Sequence, residues 1–247
     1  MGILHYDYPN AESVVVCGDI HGLFEEAVYN ACVRYKMTKT LVIVAGDCGF
    51  GFKKSNRYFY DLYMDKLKKR LEKANCWMVF VRGNHDDPIY FNGKFGIERF
   101  RTVPDYSVIT ACGHQILCVG GAISIDRLWR TEGKDYWTDE EPVFLPPLLD
   151  DINDNFRIDT VITHCAPSFC FPIGISKDVR KSVLKDETLL ADLHADRDIM
   201  DKILERLQQG GHPLRHWFYG HYHCSYFAEI GGINYNLLRI LEMKEIR

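Results

Sequence analysis

Short apolar runs alternate with amphipathic stretches over the first third of the chain. Residues 14–17, 40–45 and 76–81 are apolar and rich in β-branched or aromatic side chains, and a glycine follows each run within two residues. Such runs predict buried strands. Between them, residues 23–36 and 55–74 space their apolar side chains with a helical period. The alternation predicts parallel strands joined by helical crossovers.

The rest of the chain adds shorter strands and one more helix. Strands are predicted at 106–111, 116–122, 160–163, 216–220, 226–230 and 234–240. Residues 192–208 have the spacing of a helix, and the last strands follow one another so closely that we expect them to be antiparallel. Two stretches, 124–156 and 166–186, lack a regular period and are predicted to be cap-like insertions. Because no linker-like stretch interrupts the chain, residues 1–247 are expected to form a single domain.

Composition and charge narrow the class of protein. The chain has 247 residues, of which 47% are hydrophobic and 26% are charged, and its net charge is −4. This mild acidity argues against a protein that holds nucleic acid or a membrane by bulk positive charge. No apolar run approaches the roughly 20 residues of a membrane span, and residues 1–10 lack an apolar signal region. Nine cysteines without a C-x-x-C pair indicate reduced thiols, so we expect a cytoplasmic protein with no membrane partner.

Residue types that bind metals follow five of the predicted strands. They are Asp19, His21, Asp47, Asn84, His164, His221 and His223. Ligands of open α/β sheets gather at the carboxyl ends of the strands, so these side chains are expected to meet in one pocket. A mixed set of nitrogen and oxygen ligands suits Mn, Fe, Zn or similar ions. Asp47 is the natural bridge between two ions because a carboxylate has two oxygens to share. Two divalent ions outweigh two carboxylates and a hydroxide, so the predicted site attracts an anionic ester.

Five sequence blocks resemble the calcineurin-like metallophosphoesterase family. They are GDIHG at 18–22, GD at 46–47, RGNHD at 82–86, TH at 163–164 and GHYH at 220–223, in the order found in the family. The resemblance implies a four-layer α/β/β/α sandwich of two mixed β-sheets flanked by helices, with a centre of two divalent metal ions. Mn is the first candidate for these ions, with Fe, Zn and Ni as the others.

The resemblance also implies a role for each motif residue. Asp19, His21 and His223 would hold the first ion, Asn84, His164 and His221 would hold the second, and Asp47 would bridge the two. His85 would protonate the leaving oxygen, a task that suits an imidazole whose pKa is near neutrality. Arg82 would help to hold the phosphate with its guanidinium fork. Asp86 is the residue that we expect to orient His85.

One block departs from the pattern of the protein Ser/Thr phosphatases. Their second block reads GD-x-x-D-R-G, whereas residues 46–51 read GDCGFG, with Phe50 and Gly51 in place of the Asp and the Arg. The difference argues against protein phosphatase activity and leaves metal-dependent ester hydrolysis intact. Residues 120–131 resemble bacterial and phage-type members of the superfamily, and Arg127 or Arg130 is the hypothesis for the missing phosphate ligand.

The sequence therefore predicts a metal-dependent phosphoric ester hydrolase in which a hydroxide bridging two ions attacks the phosphorus of a phosphate-ester substrate. A phosphomonoesterase is the first hypothesis. The alternative is a phosphodiesterase, a nuclease or a dinucleoside polyphosphate hydrolase, so nucleic acid stays open as a substrate. A remote alternative of another class is a non-catalytic scaffold of the same fold. Such a scaffold should have lost metal ligands, whereas all seven, together with His85, are present here.

Overall fold

The computed structural model describes residues 2–53 and 57–247, so positions 55 and 56 of the predicted second helix lie outside the described residues. The strands are β1 (His5–Asp7), β2 (Ser13–Cys17), β3 (Thr40–Val44), β4 (Trp77–Phe80), β5 (Gly96–Ile97), β6 (Phe100–Thr102), β7 (Ser107–Ala111), β8 (His114–Val119), β9 (Thr160–Thr163), β10 (His216–Tyr219), β11 (Tyr226–Ile230), β12 (Ile233–Leu237) and β13 (Met243–Glu245). The α-helices are α1 (Phe24–Tyr29), α2 (Tyr58–Leu62), α3 (Lys68–Ala74), α4 (Pro146–Asn155), α5 (Lys177–Val183) and α6 (Leu189–Gln209).

One sheet has six strands in the order β13-β2-β3-β4-β6-β5. Strands β2, β3, β4 and β6 are parallel, and antiparallel strands β13 and β5 form the two edges. Nearly every residue of β2, β3 and β4 is buried. Parallel sheets are covered on both faces, which explains why these strands appear in the sequence as continuous apolar runs.

The other sheet has seven strands in the order β1-β7-β8-β9-β10-β12-β11. Strands β8, β9, β10 and β12 are parallel, whereas β7 is antiparallel to β8 and β11 is antiparallel to β12. The expectation that the last strands are all antiparallel is therefore wrong for β10 and β12. A hairpin that turns at Gly231 and Gly232, both with positive φ, inserts β12 between β10 and β11.

Three apolar cores define four layers. Between the sheets, Val16 and Ile43 of the six-stranded sheet share one core with Ile116 and Phe218 of the seven-stranded sheet. A second core joins the outer face of the six-stranded sheet to α1, α2 and α3. A third core joins the seven-stranded sheet to α4 and α6. The predicted α/β/β/α sandwich of two mixed β-sheets flanked by helices is confirmed.

Some elements differ from the prediction for local reasons. Helix α4 lies within 124–156 and α5 within 166–186, so the two predicted insertions are not wholly irregular. Helix α4 begins at Pro146. In a sequence, proline usually indicates the end of a helix, but it is well tolerated in the first helical turn. Strands β1, β5, β6 and β13 have only two or three residues, too few to show a period. Helix α1 continues as the π-helical segment Asn30–Arg34, and the π-helical segment Tyr63–Leu67 joins α2 to α3.

Two further features bear on the expectations from composition. No helix within residues 2–53 and 57–247 is both long enough and apolar enough to cross a membrane. All nine cysteines are free thiols, as their spacing predicted.

Candidate metal centre

The seven predicted metal ligands meet where strands from both sheets end. Each lies within the four residues that follow a strand: Asp19 and His21 after β2, Asp47 after β3, Asn84 after β4, His164 after β9, and His221 and His223 after β10. The six-stranded sheet contributes four of these residues and the seven-stranded sheet three. Because parallel strands present their carboxyl ends at one edge, loops that are far apart in the chain converge on a single site.

A first group consists of Asp19, His21, Asp47 and His223, whose ligand atoms all lie within 4.8 Å of one another. Nε2 of His223 lies 3.1 Å from Oδ2 of Asp19 and 2.9 Å from Nε2 of His21. The backbone N–H of His221 donates to the Asp19 carboxylate, at 3.1 Å from Oδ1. The same N–H lies 3.2 Å from Oδ2, so it holds the whole Asp19 carboxylate beside the two imidazoles.

A second group consists of Asp47, His164 and His221, so Asp47 belongs to both groups. Asn84 joins it through Oδ1, which lies 3.0 Å from His164 Nε2 and 3.0 Å from His221 Nδ1. The sequence prediction assigned the same residues to two ions with Asp47 between them. The structure brings the side chains together in this division.

His164 carries the clearest sign of what the second group can bind. Its Nδ1 donates to the carbonyl of Ala45 at 2.8 Å, so the neutral ring has its lone pair on Nε2. That Nε2 lies 3.0 Å from Asn84 Oδ1 and 3.3 Å from Asp47 Oδ1, both acceptors. Three lone pairs that converge in this way require a cation. The donor set therefore fits a divalent metal ion.

The pKa shifts of His164 and Asp47 also indicate that this pocket favours positive charge. Burial lowers the pKa of His164, but the Asp47 carboxylate raises it to a net value of about 9. Burial raises the pKa of Asp47, but His164 and His85 bring it well below its usual range. Burial and the charge of His164 hold the pKa of His221 well below its usual range. The directions of these shifts show that the pocket formed around Asp47 favours positive charge at His164.

Four of the seven residues hold their backbone in the left-handed region. The φ angles are 42° at His21, 46° at Asp47, 70° at His221 and 54° at His223. Such conformations cost a non-glycine residue roughly 1–3 kcal/mol each and are concentrated at functional sites. The surrounding fold maintains this strain, which turns the side chains that follow β2, β3 and β10 into one pocket.

Two glycines allow the loops to approach one another. A Cβ atom at Gly83 would overlap the backbone nitrogen of Asp47, and one at Gly220 would overlap Oδ1 of Asp19. Any larger residue would push the loop after β4 or β10 away from the carboxylates. The glycines in RGNHD and GHYH are therefore required by packing against the two acidic ligands.

His85 lies at the edge of the ligand groups. Its Nε2 is 3.9 Å from Asp47 Oδ2, 3.3 Å from Asn84 Nδ2 and 3.4 Å from Nη2 of Arg130. The last two atoms are donors, so Nε2 of the neutral ring accepts and Nδ1 carries the proton. Nδ1 is buried and has no hydrogen-bond partner among the described residues. Burial lowers the pKa of His85, although Asp47 opposes the shift.

Two of the predicted roles do not fit the structure. All four terminal N–H groups of Arg82 are engaged: they donate to the carbonyls of Asp139, Glu140 and Glu141 and to Asp105 Oδ2 at 2.9–3.1 Å. Arg82 is therefore unsuited to binding phosphate. Asp86 accepts from the backbone N–H groups of Cys48, Gly49, Phe50 and Gly83, so it fixes the loop after β3 and does not orient His85.

The two candidate arginines after β8 have different surroundings. Arg127 donates to Asp186, Thr188 and Asp192, which ties it to the start of α6 and to the residues just before it. Arg130 is paired with Asp126 through Nε and Nη2, at 2.6 and 2.8 Å, and its Nη2 also reaches His85. Of the three predicted phosphate-binding arginines, Arg130 is the one whose described contacts include a motif residue of the site.

Sequence reasoning missed two residues that reach the centre through Asn84. Ser124 Oγ accepts from Asn84 Nδ2 at 2.8 Å, and Glu140 accepts from Ser124. Burial raises the pKa of Glu140 to about 7, although the hydrogen bonds from Ser124 oppose the shift. No local signal marks either residue, because a lone serine and a lone glutamate in an irregular stretch match no motif.

Comparison with known families adds one match. The profile of the family described as calcineurin-like phosphoesterase matches residues 13–225. No curated protein matches this sequence.

Three solved structures have low similarity to this chain. Phosphopantetheinyl hydrolase (PptH) from Mycobacterium tuberculosis is 13% identical, with 97% of this chain and 91% of that chain covered and a TM-score of 0.43. The GAP50 anchor in the inner membrane complex of Plasmodium is 11% identical over 92% of this chain and 71% of its own, with a TM-score of 0.42. A putative 5'-nucleotidase from Staphylococcus aureus, in complex with alpha-ketoglutarate, is 11% identical over 94% of this chain and 50% of its own, with a TM-score of 0.43. These values are too low to transfer an activity.

Proposed function

This chain belongs to the calcineurin-like phosphoesterase family, and on that premise we propose that its metal centre hydrolyses a phosphomonoester. Membership confirms the family expected from the five motifs and makes the protein a metal-dependent phosphoester hydrolase. The monoester, the metals and the roles of individual residues are our proposal.

The observation that carries the proposal is the sharing of Asp47 by two groups of ligand atoms. We assign Asp19, His21 and His223 to one divalent ion and Asn84, His164 and His221 to the other, with Asp47 between them. A pair of such ions supplies Lewis acidity and lowers the pKa of water, so that a nucleophile is available near neutral pH. The protein's part is to fix the ligands: Asp19 accepts from the N–H of His221, and His164 donates to the carbonyl of Ala45.

His85 and Arg130 are the residues that we assign to the substrate. His85 Nε2 lies 3.9 Å from Asp47, at the border of both ligand groups, where the leaving oxygen of a bound ester would lie within its reach. A phosphate group beside His85 raises its pKa, because negative charge favours the imidazolium that can donate a proton. Arg130 lies 3.4 Å from His85. Its Nε and Nη2 are paired with Asp126, and one Nη1 hydrogen is donated to the carbonyl of Asp135, so we assign the other Nη1 hydrogen to a phosphate oxygen of the monoester.

Two finer assignments complete the proposal. Mn is our first candidate for both ions, because imidazole, carboxylate and amide ligands without a thiolate suit this metal. Fe, Zn and Ni are the alternatives for the same set of ligands. We propose a cytoplasmic location, because nine free thiols, most of them buried, fit a reducing compartment.

A substrate panel tests the proposal. Purified protein reconstituted with Mn, Fe, Zn or Ni is assayed with p-nitrophenyl phosphate, bis-p-nitrophenyl phosphate, a phosphopeptide and diadenosine tetraphosphate. We expect the fastest hydrolysis on p-nitrophenyl phosphate with Mn, and loss of that activity in D47N protein prepared in the same way, which controls for contaminating phosphatases. Faster turnover of the diester or of the dinucleotide would overturn the monoester proposal in favour of a phosphodiesterase, nuclease or dinucleoside polyphosphate hydrolase.

A further inference from the structure

We propose that Ser124 and Glu140 are positioning residues that fix the side-chain amide of Asn84 with its oxygen toward the second group of ligands. The inference rests on the proposed function, because it assigns Asn84 Oδ1 to a metal ion. It adds a hydrogen-bonded chain that begins 40 residues away from Asn84 in the sequence, at Ser124.

The chain consists of three buried side chains. Asn84 Nδ2 donates to Ser124 Oγ at 2.8 Å. Ser124 Oγ donates to Glu140 Oε2 at 2.6 Å, and the backbone N–H of Ser124 donates to Glu140 Oε1 at 2.7 Å. Asn84, Ser124 and Glu140 are each no more than 2% exposed. A buried polar chain in which every member has its partner is rigid, since any rearrangement leaves a group unpaired.

The direction of the hydrogen bonds decides which way the Asn84 amide faces. Above its pKa of about 7, Glu140 is a carboxylate that only accepts, so the Ser124 hydroxyl donates to it and offers its lone pair to Asn84. The amide end that meets Ser124 is therefore the NH₂ group, and Oδ1 is turned the other way. There it lies 3.0 Å from both His164 Nε2 and His221 Nδ1. With the amide reversed, NH₂ would face the metal position, and it cannot act as a ligand.

The loop that carries Glu140 is held from two sides. Arg82 donates to the carbonyls of residues 139–141, and the backbone N–H of Ala122 donates to the Glu140 carbonyl at 3.1 Å. Asp196 on α6 accepts from the N–H of Ile123 at 2.6 Å, which fixes the residue before Ser124. Arg82 precedes Asn84 by two residues in the RGNHD motif. It does not suit phosphate, but it holds the loop from which Glu140 reaches Ser124.

The first test is S124A, which removes the nearer acceptor of the Asn84 NH₂ group and leaves it only His85 Nε2, at 3.3 Å. Partners of this kind change metal affinity by about 10–100-fold. We expect Mn²⁺ titration followed by calorimetry to show that loss of affinity at one of two sites, with the other site unchanged. S124T keeps the hydroxyl and should restore the affinity. S107A is the matched control, because Ser107 is also a buried serine but its hydroxyl donates to Pro104.

The second test separates a positioning role from simple packing. In E140Q the amide keeps the shape of the carboxylate but presents an NH₂ group to a hydroxyl that must also donate, so one hydrogen of the chain loses its acceptor. We expect Mn²⁺ binding at the site affected by S124A to weaken about tenfold. The double variant S124A/E140Q should bind Mn²⁺ little more weakly than S124A alone. E141Q, at the neighbouring exposed glutamate, should bind like the wild-type protein.

The outcomes distinguish this inference from the proposed function. If S124A and E140Q bind both ions with the affinity of the wild-type protein, the positioning role is overturned while the metal centre stands. If both sites weaken equally and S124T gives no recovery, the chain is only structural and the inference fails. If the wild-type protein itself binds no metal and hydrolyses no phosphoester, the proposed function fails first.

Discussion

His85 is the residue whose role depends most on where its side chain lies. It lies beside both ligand groups without belonging to either, so its removal should leave the metal ligands in place. We expect H85A to lower turnover by roughly 10²–10⁴-fold, as loss of a general acid does, with the bound metal unchanged by elemental analysis. The loss should be smaller on an ester whose leaving group needs no proton, such as p-nitrophenyl phosphate, than on an alkyl phosphate. Equal turnover of H85A and wild type on the alkyl ester would contradict the acid role.

The sequence predicts the roles of some individual residues and not of others, and the difference has a physical reason. Each predicted ligand lies within the four residues that follow a strand, so its position in space is set by local sequence and by the edge of the sheet. Arg82 and Arg127 have long side chains whose partners lie elsewhere in the chain, at residues 139–141 and 186–192. The local sequence around each arginine shows its positive charge but not the distant acceptors to which the guanidinium donates.

Helix α6 connects the core of the seven-stranded sheet to the loop of Ser124, and Asp196 makes that connection. Its carboxyl accepts from Ile123 N–H, and burial raises its pKa to about 8 although the Ile123 hydrogen bond opposes the shift. The unfolded carboxyl has a pKa of about 3.9. The native state therefore holds a proton that the unfolded state has released, and the resulting stability is full below about pH 4 and is lost as pH rises through about 8.

We expect D196N to flatten the fall in the free energy of unfolding between pH 5 and pH 8, because asparagine is neutral throughout. The difference between the two slopes should amount to a few kcal/mol over this interval. Urea denaturation at a series of pH values measures it, with D198N at an exposed position of the same helix as the control. Parallel pH profiles for D196N and wild type would show that the Asp196 carboxyl does not hold the proton.

Among the elements, length determines what the sequence predicts. Strands β2, β3 and β4 were predicted because four or five consecutive buried residues leave a clear apolar run. The loop after β3 is different, since Phe50 packs among Phe24, Phe80 and Phe100 in the core under the helices. Phe50, at the position where the pattern of the Ser/Thr phosphatases has an Asp, is therefore a core residue. Its packing depends on contacts with several elements, which no local pattern shows.

For the whole molecule, the alternation of strands and helices together with the family resemblance was enough to predict the four layers. The order and direction of the last strands could not be predicted in this way. Strands β10, β11 and β12 are close in sequence, and their directions depend on the insertion of β12 between β10 and β11. The same architecture explains the site. Two sheets packed face to face present the carboxyl ends of β2, β3, β4, β9 and β10 at one border, and both sheets are needed to complete either group of ligands.

The central claim is that two metal ions share Asp47, and the number of ions bound per chain tests it most directly. Wild-type and D47N protein are stripped of metal, reconstituted with Mn²⁺, dialysed and analysed by elemental mass spectrometry. We expect two ions per wild-type chain, and a fall below one in D47N, since a bridging carboxylate serves both ions. A wild-type chain that retains only one ion, or a D47N chain that retains two, would contradict the account.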